Sequence, residues 1–387
     1  MMPAPRAGLE KKLGASNRTP RRMNRNLIFN QIRASQRISR ADLARVCGLQ
    51  RSTVSLIVEE LLAEGWIVEG TAGRAARGRK PTSLVVNSQR GVLALDVHPA
   101  QTTLAIADLA GSISAQADIV LPADSKKVLN IIVAAIRRMI ALHPKSPFEG
   151  IGITVPGRFS HQHERTIFAP NVAWPISRIK SRVEQATGLP VFVENVANAC
   201  AISEVWFGDA DENRDLVVVN VSEGIGTGIY ANGRLLRGNA DAAGEFGHVQ
   251  VDPFGIPCGC GSRGCWETLA SNRAAIRYYT EMTGHPAPSF GAILQLAQNN
   301  DDNARAAIGK MCKALGRGLH MIVTALAPAE IVVVGELVRV WPMAHSLIDA
   351  ELRSFPLIGF PSIRITKEPD KARLRSAVAL VMAQRTL

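Results

Sequence analysis

One imidazole and three thiols stand close together in the chain. In GEFGHVQVDPFGIPCGCGSRGCWE, His248 precedes Cys258, Cys260 and Cys265, and the glycines among them let the backbone fold three sulfurs toward one point. One ring nitrogen and three thiolates make a closed tetrahedral set, the donor pattern of structural rather than catalytic zinc. The competing readings are a disulfide or free thiols. Cys47, Cys200 and Cys312 stand apart in apolar settings and read as buried packing residues.

The elements that must position this cluster belong to a chain of 387 residues, enough for two or three domains at roughly 150 residues each. With 47% hydrophobic and 20% charged residues it has the composition of a soluble globular protein. No apolar run approaches the roughly 18 residues of a membrane helix, and the first residues carry no apolar segment of a secretory signal, so a cytoplasmic protein without a membrane partner is expected. The net charge of +12 is unevenly placed: residues 1–87 carry 16 Lys/Arg against 6 Asp/Glu, the remainder 29 against 27. Charge confined to one end is the footprint of a polyanion partner. A chain that binds DNA works in a reducing compartment where disulfides are rare, which favours zinc at the cysteine cluster.

Residues 1–23 read as a basic, disordered arm. From Arg25 onward, Leu27, Ile28 and Ile32 give a first helix one apolar face. A short second helix follows in ISRADLARVCGL, capped by Ser39 with Asp42 three residues later and ended by Gly48. In the third, Val54, Ile57, Val58, Leu61 and Leu62 repeat at helical spacing. This is a helix-turn-helix layout, and Gln50, Arg51, Ser52, Thr53 and Ser55 open the third helix where side chains reach base edges and the helix dipole favours phosphate. Two short strands at 66–69 and 83–87 flank a tip carrying Arg74, Arg77, Arg79 and Lys80 between glycines, a basic wing able to follow a backbone or enter a minor groove.

From residue 88 the pattern becomes short apolar strands between helices. Strands are expected in VLALDVH, QTTLAIADLAG, GIGITVPG, VFVEN, EIVVVGE and the pair LVVVNVSEGIGTGIYANGRLL; helices near 125–142, after VFVEN, over about 271–326, and at the C-terminus. The alternation argues for α/β architecture in two lobes with a cleft, one of about 88–205 plus the C-terminal helix and the other of about 206–369. No internal repeat stands out.

The stretches GEFGH and CGCGSRGCWE resemble the signature of the ROK family of sugar-responsive repressors and sugar kinases. VPG at 155–157, PNVAW at 170–174, VENVANA at 193–199 and NGRLLRG at 232–238 extend the resemblance, and ISRADLARVCGLQRSTVS with GRAARGRKP is similar to the winged helix-turn-helix of its repressor branch. The resemblance implies a two-lobed actin-like (ribonuclease H-like) ATPase-type fold behind the DNA-binding domain at 24–87. It implies a sugar held by Asn171, Asn195, Glu245, His248 and Glu267, with structural Zn2+ on His248 and the three cysteines orienting the imidazole.

Against the kinase branch, each part of the phosphoryl-transfer machinery is altered. Val196 stands where the kinases have a catalytic Asp and cannot accept a proton. The first phosphate loop, Asp-x-Gly-Gly-Thr in the kinases, reads Asp96, Val97, His98, Pro99, Ala100, and the second has Ser222 and Glu223, putting a carboxylate where phosphate would sit. Glu336 replaces a glycine of the adenosine loop. The expectation is a non-enzyme: a repressor of carbohydrate-related genes that releases its operator when a sugar fills the cleft, working as a homodimer or homotetramer. The alternatives are an active sugar kinase with a DNA-binding appendage, and an interaction protein whose α/β part docks a partner such as a transport component.

Overall fold

The computed structural model describes residues 18–35, 37–70, 82–98, 102–122, 125–144, 146–169, 178–208, 215–356 and 359–385. The chain divides into two units, Met1–Asn87 with Arg385–Leu387, and Ser88–Gln384.

In the first unit, α1 (Arg18–Ser35) begins inside the stretch expected to be a free arm. Its inward face is Ile28, Phe29 and Ile32, with Leu27 half-buried, and Phe29 meets Trp66 edge-on at 6.2 Å. α2 (Arg40–Cys47) starts at Ser39, whose hydroxyl accepts the Asp42 N–H and donates to the Asp42 carboxylate, and ends at the left-handed Gly48. α3 (Arg51–Ala63) turns Val54, Ile57, Val58 and Leu61 into the core. The strands β1 (Ile67–Glu69) and β2 (Leu84–Val86) pair antiparallel, and Ile38 bridges to Leu84. They frame residues 71–81, so Arg74, Arg77, Arg79 and Lys80 lie outside the described residues.

The second unit holds two five-stranded sheets. The first comprises β3 (Gly91–Asp96), β4 (Thr102–Asp108), β5 (Ile113–Ile119), β6 (Phe148–Val155) and β9 (Val191–Asn195). Around them run α4 (Ser125–Leu142), the hairpin β7 (Arg158–Ser160) and β8 (Arg165–Phe168), α5 (Ile179–Thr187) and α6 (Val196–Phe207). The second comprises β10 (Leu216–Val221), β11 (Ile225–Ala231), β12 (Arg234–Leu235), β13 (Glu330–Gly335) and β14 (Ser362–Ile365). Its helices are α7 (Glu267–Ala270), α8 (Asn272–Thr283), α9 (Phe290–Gln298), α10 (Asp302–Leu326), α11 (Trp341–Arg353) and α12 (Ala372–Arg385).

The strand orders, β5-β4-β3-β6-β9 and β12-β11-β10-β13-β14, match strand for strand: three antiparallel strands, then two parallel to the first. The architecture is therefore a duplication, although no repeat is visible in the residues. Central strands β3 and β10 are buried along their whole length, which their unbroken apolar runs require when both faces are covered.

The helix that follows each sheet's last strand packs on the other sheet. α6, leaving β9, sets Val196, Cys200, Ala201 and Val205 against Leu216, Val218, Val332 and Val334 of the second sheet. A Cβ on Gly228 of β11 would lie 2.2 Å from the Ala197 carbonyl oxygen, so only glycine admits this approach. α12, leaving β14, lies as close on β6, where a Cβ on Gly152 would meet the Ala377 carbonyl oxygen at 1.8 Å. Arg364 of β14 ties α6 to the second sheet through Glu330 at 2.9 Å and Glu204 at 2.8 Å. Burial acts against its charge, and the two carboxylates more than offset that, so its pKa rises.

Candidate functional site

The cysteine cluster forms as a loop folded on itself. Gln250 bridges to Cys265, Pro257 to Arg263, and the Cys258 N–H donates to the Ser262 carbonyl at 2.8 Å. Trp266, fully buried, anchors the loop by donating to the Ala314 carbonyl of α10 at 2.9 Å. The ligand atoms of His248, Cys258, Cys260 and Cys265 all lie within 4.8 Å of one another, with Cys260 Sγ to Cys265 Sγ and Cys258 Sγ to His248 Nδ1 both at 3.6 Å. Around a tetrahedral zinc with bonds of about 2.3 Å, ligand sulfurs sit about 3.8 Å apart. The donor set fits that ion in number, type and spacing. All six cysteines are free thiols; Cys200 and Cys312 are buried, whereas Cys47 at the end of α2 is half-buried rather than a core residue. Burial pushes the Cys258 and Cys265 thiols up, and a bound cation is what would reverse that.

The same loop delivers His248 to a cavity between the lobes. Gly244, at φ +86°, packs its Cα on the Thr227 carbonyl of β11 where no side chain fits, and the 3₁₀ turn after it projects Glu245 and His248. His248 Nδ1 faces Cys258, and Nε2 lies 3.8 Å from the Glu245 carboxylate on the cavity side. Glu267 lines the cavity and also reaches Cys258 Sγ at 3.0 Å. Asn195 lines it too, yet its side-chain oxygen caps α6 by accepting the Ala197 N–H at 2.8 Å and its amide donates to the Gly157 carbonyl. It therefore has a structural duty whatever else it touches. Asn171 lies outside the described residues.

Polar residues that the sequence did not single out also line the cavity, among them Asn198, Asn220 and Asp241. The side-chain oxygens of Asn198 and Asn220 are buried with no protein partner. Asp241 takes the left-handed region at φ 56°, and its carboxylate accepts the His161 N–H at 2.9 Å. His161 follows β7, so this contact joins the first lobe's hairpin to the second lobe's loop, with Arg237 pairing to the buried Glu194 beside it. VENVANA and NGRLLRG contain or adjoin most of these residues, but nothing in the spacing brings them together.

The other end of the interlobe cleft is occupied by the chain's own charges. The Asp96 carboxylate, 7% exposed, accepts two hydrogen bonds from the Arg373 guanidinium and one from the Thr154 hydroxyl at 2.7 Å. His98, just after β3, lies 2.9 Å from Glu223 in the turn between β10 and β11, a polar contact across the two lobes. Burial works against the Glu223 carboxylate, but the hydrogen bond and charge of His98 more than compensate and hold it below the ordinary carboxylate range. Glu336 accepts from the Asn272 amide at 3.3 Å, and Val196 is almost wholly buried. Pro99 and Ala100 lie outside the described residues.

On α3, Gln50 occupies the N-cap without a side-chain cap bond and is exposed, as are Arg51 and Ser52. Thr53 and Ser55 are half-buried. The first turn of the helix thus leaves its N–H groups and three polar side chains facing out.

A winged helix-turn-helix joined to a duplicated α/β fold with a polar interlobe cavity defines a two-part ligand-binding regulator or kinase-like chain. The chain belongs to the ROK family, whose profile matches residues 92–384, and a winged helix-turn-helix DNA-binding profile matches residues 24–68. It is 33% identical over 345 residues to the xylose repressor of Bacillus spizizenii, covering 88% of this chain and 89% of that one. Among solved structures it is similar to a ROK family transcriptional regulator described as a homologue of the E. coli MLC protein, at TM-score 0.76 and 25% identity over 94% of this chain and 96% of that one. A ROK glucokinase from Streptomyces griseus, in complex with glucose and AMPPNP, matches at TM-score 0.68 and 27% identity over 76% of this chain and 99% of that one. The expected actin-like fold behind a winged helix-turn-helix is thus the fold observed.

Proposed function

We propose that the protein is a sugar-responsive transcriptional repressor that does not phosphorylate its sugar. One observation carries this reading: a cavity lined by Glu245, His248 and Glu267 sits beside a cleft where Asp96 is spent on Arg373 and Glu223 on His98. The sugar side keeps groups that both donate to and accept from vicinal hydroxyls. The transfer side has an aliphatic residue for a base and internal ion pairs for a phosphate cradle. On this reading His248, Cys258, Cys260 and Cys265 hold structural zinc, which fixes the imidazole while its Nε2 meets the ligand. Asn195 and Asn171 complete the grip, and xylose is the first candidate effector because the repressor relative is named for it.

Gln50, Arg51, Ser52, Thr53 and Ser55 read the operator, and Arg74, Arg77, Arg79 and Lys80 hold its backbone. A two-fold operator requires two such helices about one DNA turn apart, so the working form is a homodimer or homotetramer. Among the described residues no helix is long and apolar enough to cross a membrane; the repressor works in the cytoplasm, beside its operator. Sugar weakens DNA binding by favouring a different lobe arrangement. The test is operator affinity by fluorescence anisotropy with and without a panel of pentoses and hexoses, alongside a coupled phosphorylation assay. Sugar-dependent release without turnover is the expected result; turnover, or indifference to every sugar, refutes the proposal.

A further inference from the structure

We infer that Leu56 reads a thymine methyl group in the operator. The inference rests on the DNA-binding role proposed above and adds a sequence-specific contact to it. Leu56 sits in the second turn of α3 and is 50% exposed. A single exposed leucine usually means little, but the placement of this one is informative. Val54, Ile57, Val58 and Leu61 fix the inward face of α3. At 100° per residue, Leu56 then lies within about 30° of the line directly opposite the core. It shares that outer face with Ser52, one turn before it, and with Glu59, and all three are exposed.

The surroundings choose its partner. Residues 1–87 carry 16 Lys/Arg against 6 Asp/Glu, the charge of a unit that binds a polyanion, and in a helix-turn-helix the recognition helix, here α3, turns its outer face to the major groove. In the major groove the base edges offer hydrogen-bond donors and acceptors and one apolar group, the C5 methyl of thymine. An aliphatic side chain in the middle of a reading face has no other apolar feature of DNA to cover. Ser52 and Leu56 lie about 6 Å apart along the helix, close to two base-pair steps, so hydroxyl and isobutyl groups fall about two base pairs apart within one half-site. The reading surface ends at Glu59 and Glu60. Glu60 is held by Arg21 and Arg25 of α1, and the exposed Glu59 carboxylate disfavours approach to phosphate.

The experiment uses the full chain. An operator is selected from random duplexes, and each thymine is replaced in turn by deoxyuridine, which removes only the methyl group. Affinities are measured at one salt concentration for the wild type and for Leu56→Ala, whose unfolding midpoint is compared first. The expected result is one thymine per half-site where deoxyuridine weakens wild-type binding by about four-fold, the effect of uncovering one methyl, and where Leu56→Ala binds both forms equally. If Leu56→Ala keeps the full sensitivity at every thymine, or the wild type is indifferent to every replacement, the assignment is overturned. Failure to select any sequence would instead refute the DNA-binding role on which it rests.

Discussion

Arg373 of α12 grips Asp96 of β3 at two points, Nε to Oδ2 at 2.7 Å and Nη2 to Oδ1 at 3.0 Å. Asp96 is the residue that the resemblance aligns with the opening of a phosphate loop, and here its charge is consumed inside the protein. Removing the guanidinium leaves a buried carboxylate without a counter-ion. Arg373→Met is expected to cost about 3–5 kcal/mol in urea unfolding, and adding Asp96→Ala to recover much of it. Additive losses in that double-mutant cycle would contradict the coupling.

Val196→Asp restores a carboxylate at the position of the kinase base but leaves both former phosphate loops as they are. The expected outcome is no sugar phosphorylation above the blank in a coupled assay, since a sugar hydroxyl deprotonated by the new carboxylate still has no cradled phosphoryl group to attack. Measurable turnover would mean that the cleft still admits a nucleotide.

Glu223 gives a pH signature. Its pKa is held below 4.5 in the fold, against burial and through His98, so its stabilising contribution is present at higher pH and is lost as the pH falls through the folded-state value. Glu223→Gln should therefore destabilise the protein near neutrality and flatten the unfolding midpoint at the acid end. Midpoints of both proteins from about pH 7 down to about pH 3 supply the check. Parallel curves would mean that the Glu223 carboxylate contributes nothing through His98.

Metal analysis should find one zinc per chain. Cys260→Ser should lose it and, through the unfixed imidazole of His248, weaken sugar binding by about ten- to a hundred-fold while DNA binding without sugar persists. Calorimetry and anisotropy on the same preparation separate the two effects.

Neutralising Arg77 and Arg79 together should weaken binding to all sequences and lower the salt slope by about two. Titration at several salt concentrations measures it, and an unchanged slope would take these residues off the phosphates.

What could be read from the residues was whatever depends on local pattern. Val54, Ile57, Val58 and Leu61 announce α3 by period, and the unbroken apolar runs of β3, β10 and β13 announce central strands. The cysteine cluster was legible because its donors lie in one short loop. β5 was not, because an edge strand with ISAQADI alternates polar residues toward solvent and lacks an apolar run. His98 and Glu223, or Asp96 and Arg373, meet only through the topology of both sheets. The duplication was hidden because many different residues satisfy the same alternation of burial. Asp241 was missed for a related reason: its left-handed backbone and contact with His161 are set by a tertiary neighbour rather than by its own sequence.

The exchange of helices between the sheets bears on how the chain is made. α12 leaves the ribosome after every strand of both sheets, yet it covers β6, one of the first sheet's central strands, at the close approach of Gly152 to Ala377. α6 is available early, but its partner strands β10 and β13 emerge only later. Neither half can therefore mature by itself during synthesis, and each nascent lobe exposes an apolar face that its sibling must cover. Fragments cut between the lobes should be insoluble when expressed separately and recover order only when produced together, so the two halves are obligate co-folders despite their matching plans.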